Sequence, residues 1–230
     1  MPTLSSPKHG SLQFYPRKRA SRFLPSVNWD TLETLKTDSP SILGFIAYKV
    51  GMATAIVKNT TDKAMTFGKR IAIPVTILET PNMKIFSVRF YKNGRVIKDI
   101  VVSNDKELKH KLKVPKHPAS LDKSPEDYDE IRLIAYSIPK QSSVKKTPDL
   151  IEVAIHADSK LEYVKSLINK EISLADFIKY PLLDTRGLTK GKGLQGPVKR
   201  FGLTLKAHKS EKGVRRPGSL GPWHPARVTF

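Results

Sequence analysis

IAIPVTILETPNMKIFSVRFYKNGRVIKDIVV, residues 71–102, is the stretch from which the fold is read. Its runs IAIPVTILET (71–80) and MKIFSVRFY (83–91) are rich in β-branched and aromatic residues, the composition of strands, and Pro81 and Asn82 separate them. Lys84, Ser87, Arg89 and Lys92 are the polar residues of the second segment. They alternate imperfectly with the apolar ones, which suits a strand buried on much of both faces. Asn93 and Gly94 then supply a two-residue turn, and RVIKDIVV (95–102) is the returning strand. On the amino-terminal side, ILGFIAY (42–48) and MATAIVK (52–58) flank Lys49, Val50 and Gly51. They read as a hairpin turning at that tripeptide. Several short strands at this spacing predict a barrel or sandwich.

Past Ser103 the pattern mixes. NDKELKHKL (104–112) reads as a short helix, and 113–125 as a proline-containing connector. SPEDYDEI (124–131) has a serine cap, proline at the first helical position and acids in the first turn, so it predicts a helix start. IRLIAYSI (131–138) and DLIEVAIHA (149–157) predict strands on either side of a basic loop. Ser159 and Glu162 have capping-box spacing and open a helix with Leu161, Val164, Leu167 and Ile168 on one face. Ser173 to Asp176 opens another short helix, closed before Pro181. A strand is expected to return at LLDTRGLT (182–189). The expected organisation is an extended basic arm over 1–38, a β-rich part over 39–102, an inserted α/β module over 103–180, and a return strand with a long basic loop over 181–230.

The chain has 230 residues, a formal net charge of +20 and no cysteine. Disulfides and thiolate metal sites are thereby excluded, and a reducing compartment is expected. The amino-terminal residues contain no apolar run of the secretory kind, and no window reaches membrane-span length. The sequence therefore predicts a soluble, intracellular protein with a polyanionic partner and no membrane.

The charge gathers at both ends. In the arm, Lys8, Arg17, Lys18, Arg19 and Arg22 precede the first acid, Asp30, with Phe14, Tyr15 and Phe23 between them. At the other end, after Asp184, Glu211 stands alone against Arg186, Lys190, Lys192, Lys199, Arg200, Lys206, Lys209, Lys212, Arg215, Arg216 and Arg227. Large apolar residues are too sparse there to offset the entropy of ordering the segment, so a partner must order it. Glycine alternates with lysine in Lys190, Gly191, Lys192 and Gly193, which lets the backbone approach a phosphate closely. Trp223 and His224 sit between Pro222 and Pro225, a rigid tip that presents a flat ring for stacking on a base.

Catalytic signatures are weak. Gly191, Gly193 and Gly196 have dinucleotide-loop spacing, but no amphipathic helix pattern follows, and the lysine lacks the serine or threonine of a phosphate loop. The six histidines show no metal-ligand spacing, so neither metal nor cofactor is expected. An RNA-modifying or RNA-processing enzyme would need acids in the basic surface, where Asp184 and Glu211 are too few. An RNA chaperone without a fixed site is the other alternative.

Several stretches resemble large-subunit ribosomal protein L three in its archaeal and eukaryotic form. They are HGSLQFYPRKRA (9–20), GFIAYKVGMATAIV (44–57), IPVTILETPNM (73–83), LEYVKSLINKEISLADF (161–177), DTRGLTKGKGLQGPVKRFG (184–202) and RRPGSLGPWHPARV (215–228). The resemblance implies a translation-factor-type β-barrel with an inserted α/β module, in a β-rich α+β fold. It further implies an arm and a loop that run into large-subunit rRNA near its 3′ domain. By the same resemblance Trp223, with His224 and Arg216 beside it, would approach the peptidyl transferase centre. The implied protein is no enzyme. It supports early subunit assembly in cytoplasmic ribosomes, touches rRNA and neighbouring ribosomal proteins, and forms no homo-oligomer. Family members continue past the residues matching Pro225 to Val228 into further barrel strands. The expectation is therefore either a fragment or a barrel with an unpaired edge.

Overall fold

The computed structural model of the chain describes residues 11, 13, 16–30, 40–178, 182–210 and 212–228. Two compact units divide it: Ser26–Thr185, and a second made of Met1–Pro25 with Arg186–Phe230.

Among its described residues the Ser26–Thr185 unit has seven strands: β1 (Ser41–Ile42), β2 (Tyr48–Lys58), β3 (Arg70–Glu79), β4 (Met83–Lys92), β5 (Arg95–Val101), β6 (Glu130–Ser137) and β7 (Leu150–His156). Five form one antiparallel sheet in the order β1-β7-β6-β4-β5, and β2 pairs with β3 in a separate ribbon. The sheet thus draws β4 and β5 from before residue 102 and β6 and β7 from after it. The coarse expectation of a β-rich α+β fold holds. The described residues form no closed barrel: β5 pairs only with β4, and β2 and β3 only with each other. Closure needs a continuous ring of paired strands.

Strand β4 runs between β6 and β5, with most of its residues buried and the rest half-buried. Its register against β6 slips between Ile85 and Ser87. That bulge shifts the alternation by one, so Met83 and Ile85 face the same core as Val88 and Phe90. The imperfect alternation read from sequence has this cause as well as two-sided burial. Phe86 packs on the opposite face with Tyr136 and Leu108 in a small second cluster. The main core adds Ile131, Leu133 and Ala135 of β6, Val153 and Ile155 of β7, and Ile42, Ile46 and Trp29. Trp29 lies within the expected arm, yet it is buried and its indole N–H donates to the Glu152 carbonyl at 3.2 Å.

The Asn93–Gly94 turn forms as expected. Both residues take positive φ, 49° and 70°, the backbone that a tight two-residue turn between right-twisted strands requires. The hairpin expected at Lys49 to Gly51 does not form. These residues run inside β2, and the strand takes up the extra residue as a register shift between Lys49 and Gly51. SPEDYDEI forms no helix; a single 3-10 turn, Leu121–Lys123, precedes it, with the Ser120 side chain accepting from the Asp122 N–H. Cap chemistry without an apolar face gives the segment nothing to pack. NDKELKHKL contributes a 3-10 turn, Lys106–His110, which buries Leu108.

Helix α1 (Lys160–Leu167) puts Val164 in the core, with Leu161, Leu167 and Ile168 packed against it. Ser159 makes no side-chain cap bond, so the box expected there is absent; its carbonyl accepts from the Tyr163 N–H instead. Helix α2 (Leu174–Phe177) does carry its capping box, between Ser173 and Asp176. The strand expected at 182–189 is exposed chain with no ladder, and Leu182 is 87% exposed. Among the described residues no helix is long and apolar enough to cross a membrane.

A polar lock joins β2 to the sheet. The Asp149 carboxylate accepts from Tyr48 (2.8 Å), Lys111 (3.1 Å) and Lys145 (2.7 Å), while Ser137 Oγ lies 2.7 Å from the Tyr48 hydroxyl. Burial pushes the Asp149 carboxyl up, but the bonds from Lys145, Tyr48 and Lys111 outweigh it and leave it below its ordinary range. Burial also pushes the Tyr48 hydroxyl well up, so it stays a donor.

Candidate nucleic-acid interface

The unit containing 11–25 and 186–228 has little secondary structure. Among its described residues the one α-helix, α3 (Pro197–Phe201), starts with proline in its first turn and stops at Gly202, whose φ of 67° a glycine adopts at little cost. No strand precedes the 191–196 glycine loop among the described residues, so the dinucleotide reading finds no strand–loop–helix frame. Further along, the Lys206 N–H donates to the Val214 carbonyl at 3.1 Å.

Arm and loop, far apart in sequence, lie together in this unit. Arg17 donates to the Arg200 carbonyl and Arg200 donates to the Arg17 carbonyl, each at 3.4 Å. Arg19 donates to the Gln195 carbonyl at 3.2 Å. Lys190, Gly191, Lys192, Gln195 and Lys199 line a cavity of about 400 Å³. The Arg200 guanidinium also lies over the Phe201 ring, 4.9 Å from its centroid. Gln195 and the bonds between arm and loop escaped the sequence reading, because their acceptors are main-chain carbonyls that carry no residue-type signal.

The remaining expected residues spread out. Lys18, Arg19 and Arg22 of the arm are exposed, as are Arg186, Lys206, Lys209, Lys212, Arg215, Arg216 and Arg227; Lys8 and Glu211 lie outside the described residues. Trp223 is 84% exposed, with the His224 ring edge-on to it at 6.4 Å and a cis bond between His224 and Pro225. A tryptophan so exposed contributes no packing to its own fold.

The two units treat charge differently. In Ser26–Thr185 some of the cations are paired: Arg89 with Asp99 and Glu152, Arg132 with Glu130 and Asp30, Lys84 with Glu171, and Lys111 and Lys145 with Asp149. Arg132 also stacks on the Tyr91 ring at 4.5 Å. Among the described residues of 186–228, no lysine or arginine meets a carboxylate, because Asp184 is the nearest described acid in sequence. Nor do the described residues hold a cluster of metal-ligating side chains.

Fold and surface together define a class: a β-rich body in which acids pair with part of the cations, joined in sequence to a polycationic segment with few acids of its own. Comparison with known proteins narrows the class. The profile described as Ribosomal protein L3 matches residues 1–98 and 89–230. Proteins named large ribosomal subunit protein uL3 align over almost the whole chain. The Methanococcus aeolicus protein is 37% identical over 97% of this chain and 71% of its own length. That of Methanothrix harundinacea is 37% identical over 100% of this chain and 73% of its own length. That of Nanoarchaeum equitans is 36% identical over 97% and 71%. The chain belongs to the ribosomal protein L3 family.

Proposed function

We propose that this chain is a structural constituent of the large ribosomal subunit, in the cytoplasm, and that it acts by holding large-subunit rRNA rather than by catalysis. Family membership supplies the assembly; the observation that carries the mechanism is the run of cations over 186–228, which have no carboxylate partner among the described residues. Lysines and arginines at that density displace counterions from a phosphate backbone. The proposed contacts are Lys18, Arg22, Arg186, Lys190, Lys192, Lys199, Lys206, Lys209, Lys212, Arg215, Arg216 and Arg227, with Lys8 added from the sequence. Trp223 is assigned to stacking on a base near the peptidyl transferase centre, with His224 beside it. Ribosomal proteins of the same subunit are the proposed neighbours.

The barrel of the family resemblance is assigned to the assembled subunit. The ribbon β2–β3 supports it, because its register aligns Ala53, Ala55 and Val57 with Val75, Ile73 and Ile71 on one wholly apolar face. The test is sedimentation of tagged chain with ribosomal subunits in its own cells. Stoichiometric recovery with the large subunit, resistant to moderate salt, is expected. Recovery only in free fractions would overturn the assignment.

A further inference from the structure

Three of the arginines placed in the RNA-binding set by sequence do not aim their described bonds outward. Arg17 and Arg200 exchange guanidinium–carbonyl bonds, and Arg19 reaches the Gln195 carbonyl. Of the three acceptors, Gln195 lies on the cavity that Lys190, Gly191, Lys192 and Lys199 also line. Gln195 is itself a wall of that cavity, and Arg200 directly follows Lys199, another wall. The loop has few apolar groups to fix it, for Leu194 is 90% exposed. Three ammonium groups round one cavity also repel each other, so the loop left alone would spread. The arm bonds oppose that spreading.

We propose that the cavity is a cradle for the phosphodiester backbone of an RNA strand, and that Arg17 and Arg19 are positioning residues that keep it in shape. This deepens the rRNA-binding reading and rests on it. The lysines supply charge, Gly191 leaves room for close approach of a phosphate, and the Gln195 amide supplies a neutral donor. Three ammonium groups suit two or three consecutive phosphates, as a strand presents them and a single anion does not. The arm therefore acts on RNA mainly through the loop it braces.

The full chain is tested against an in vitro transcript of the 3′ domain of large-subunit rRNA, by salt-dependent binding and by acetylation of lysines followed by mass spectrometry. RNA is expected to protect Lys190, Lys192 and Lys199. Each single alanine substitution among them should lower the slope of log affinity against log salt by about 0.7–0.9. Arg19→Ala should abolish protection at all three lysines and lower the slope by roughly three such contacts. Added to the triple lysine variant, Arg19→Ala should change nothing further. Loss of one contact's worth of slope in both backgrounds would make Arg19 a direct phosphate ligand and overturn the bracing role. Equal acetylation with and without bound RNA would overturn the cradle. Equal protection by inorganic tripolyphosphate at matched phosphate concentration would overturn the assignment to an RNA strand. Failure of the unmodified chain to bind the transcript at all would instead count against the ribosomal reading. The unfolding midpoint of the Ser26–Thr185 core, which contains none of these residues, is expected to stay constant throughout.

Discussion

Tyr48, Lys111 and Lys145 all donate to one buried carboxylate, Asp149. Asp149→Asn keeps the size and removes the charge, leaving two ammonium groups and a phenol short of an acceptor. It should destabilise the fold by about 1–3 kcal/mol, read by urea unfolding at neutral pH. The pH dependence has a definite sign. The folded carboxyl titrates below its ordinary range, so its contribution is complete above the unfolded value of about 3.9 and is lost as pH falls through the folded value. The gap between wild type and Asp149→Asn should therefore close on acidification. A gap that widened would mean the lock is not ionic. Gly44 makes a second prediction: a Cβ there would lie 3.0 Å from the Trp29 ring and 3.2 Å from Val153. Gly44→Ala should cost about 1–3 kcal/mol by overpacking, and Trp29 fluorescence should shift with it. No residue-type pattern announced either site, since both depend on which side chains the fold brings within reach.

Among the elements, β4, β5 and β6 were legible because β-branched content and Asn93–Gly94 agree with the packing the sheet imposes. The turn read at Lys49 to Gly51 failed because a glycine that ends a strand and a glycine inside a bulged strand look alike in sequence. Ser159 failed as a cap because its φ of −107° and ψ of 84° lie outside the extended form from which a serine reaches back to the helix. Ser173 succeeded in that form, with φ −89° and ψ 164°, and Ser173→Ala should cost about 1 kcal/mol of stability by thermal unfolding. The ribbon β2–β3 differs from the sheet. Its residues join neither apolar cluster apart from Tyr48, and Met52 and Ile56 on its other face are 62% and 75% exposed. Two strands alone are marginal in water. Amides of 51–58 and 70–77 in the free chain should exchange with solvent faster than those of β4 and β6, in hydrogen exchange read by mass spectrometry. Equal protection would show that the ribbon is as well anchored as the sheet.

At the scale of the whole molecule the division of charge governs behaviour. The polycationic ends were legible from composition, whereas their mutual bonding was not, because it runs through main-chain carbonyls. Affinity for rRNA should fall linearly with log salt and by roughly a thousandfold between low and moderate salt, if six or more phosphates are held. A flat response would detach this charge from RNA. Trp223→Ala should leave incorporation into large subunits nearly intact, since stacking contributes about 1–3 kcal/mol beside many phosphate contacts. It should slow single-turnover peptide-bond formation instead. Lost incorporation with a normal rate in the assembled remainder would make the ring a folding anchor.

Arg17 and its partner Arg200 stand 183 residues apart. A ribosome adding about 5–20 residues per second makes the first of them on the order of ten to forty seconds before the second. Through that interval the arm's arginines are in the cell while the carbonyls they will bind do not yet exist. A nascent chain in this state carries bare cationic groups beside the rRNA of the very machine that is making it. Order of synthesis thus sets the arm a waiting period, during which any polyanion nearby competes for it, and which ends only when the loop emerges.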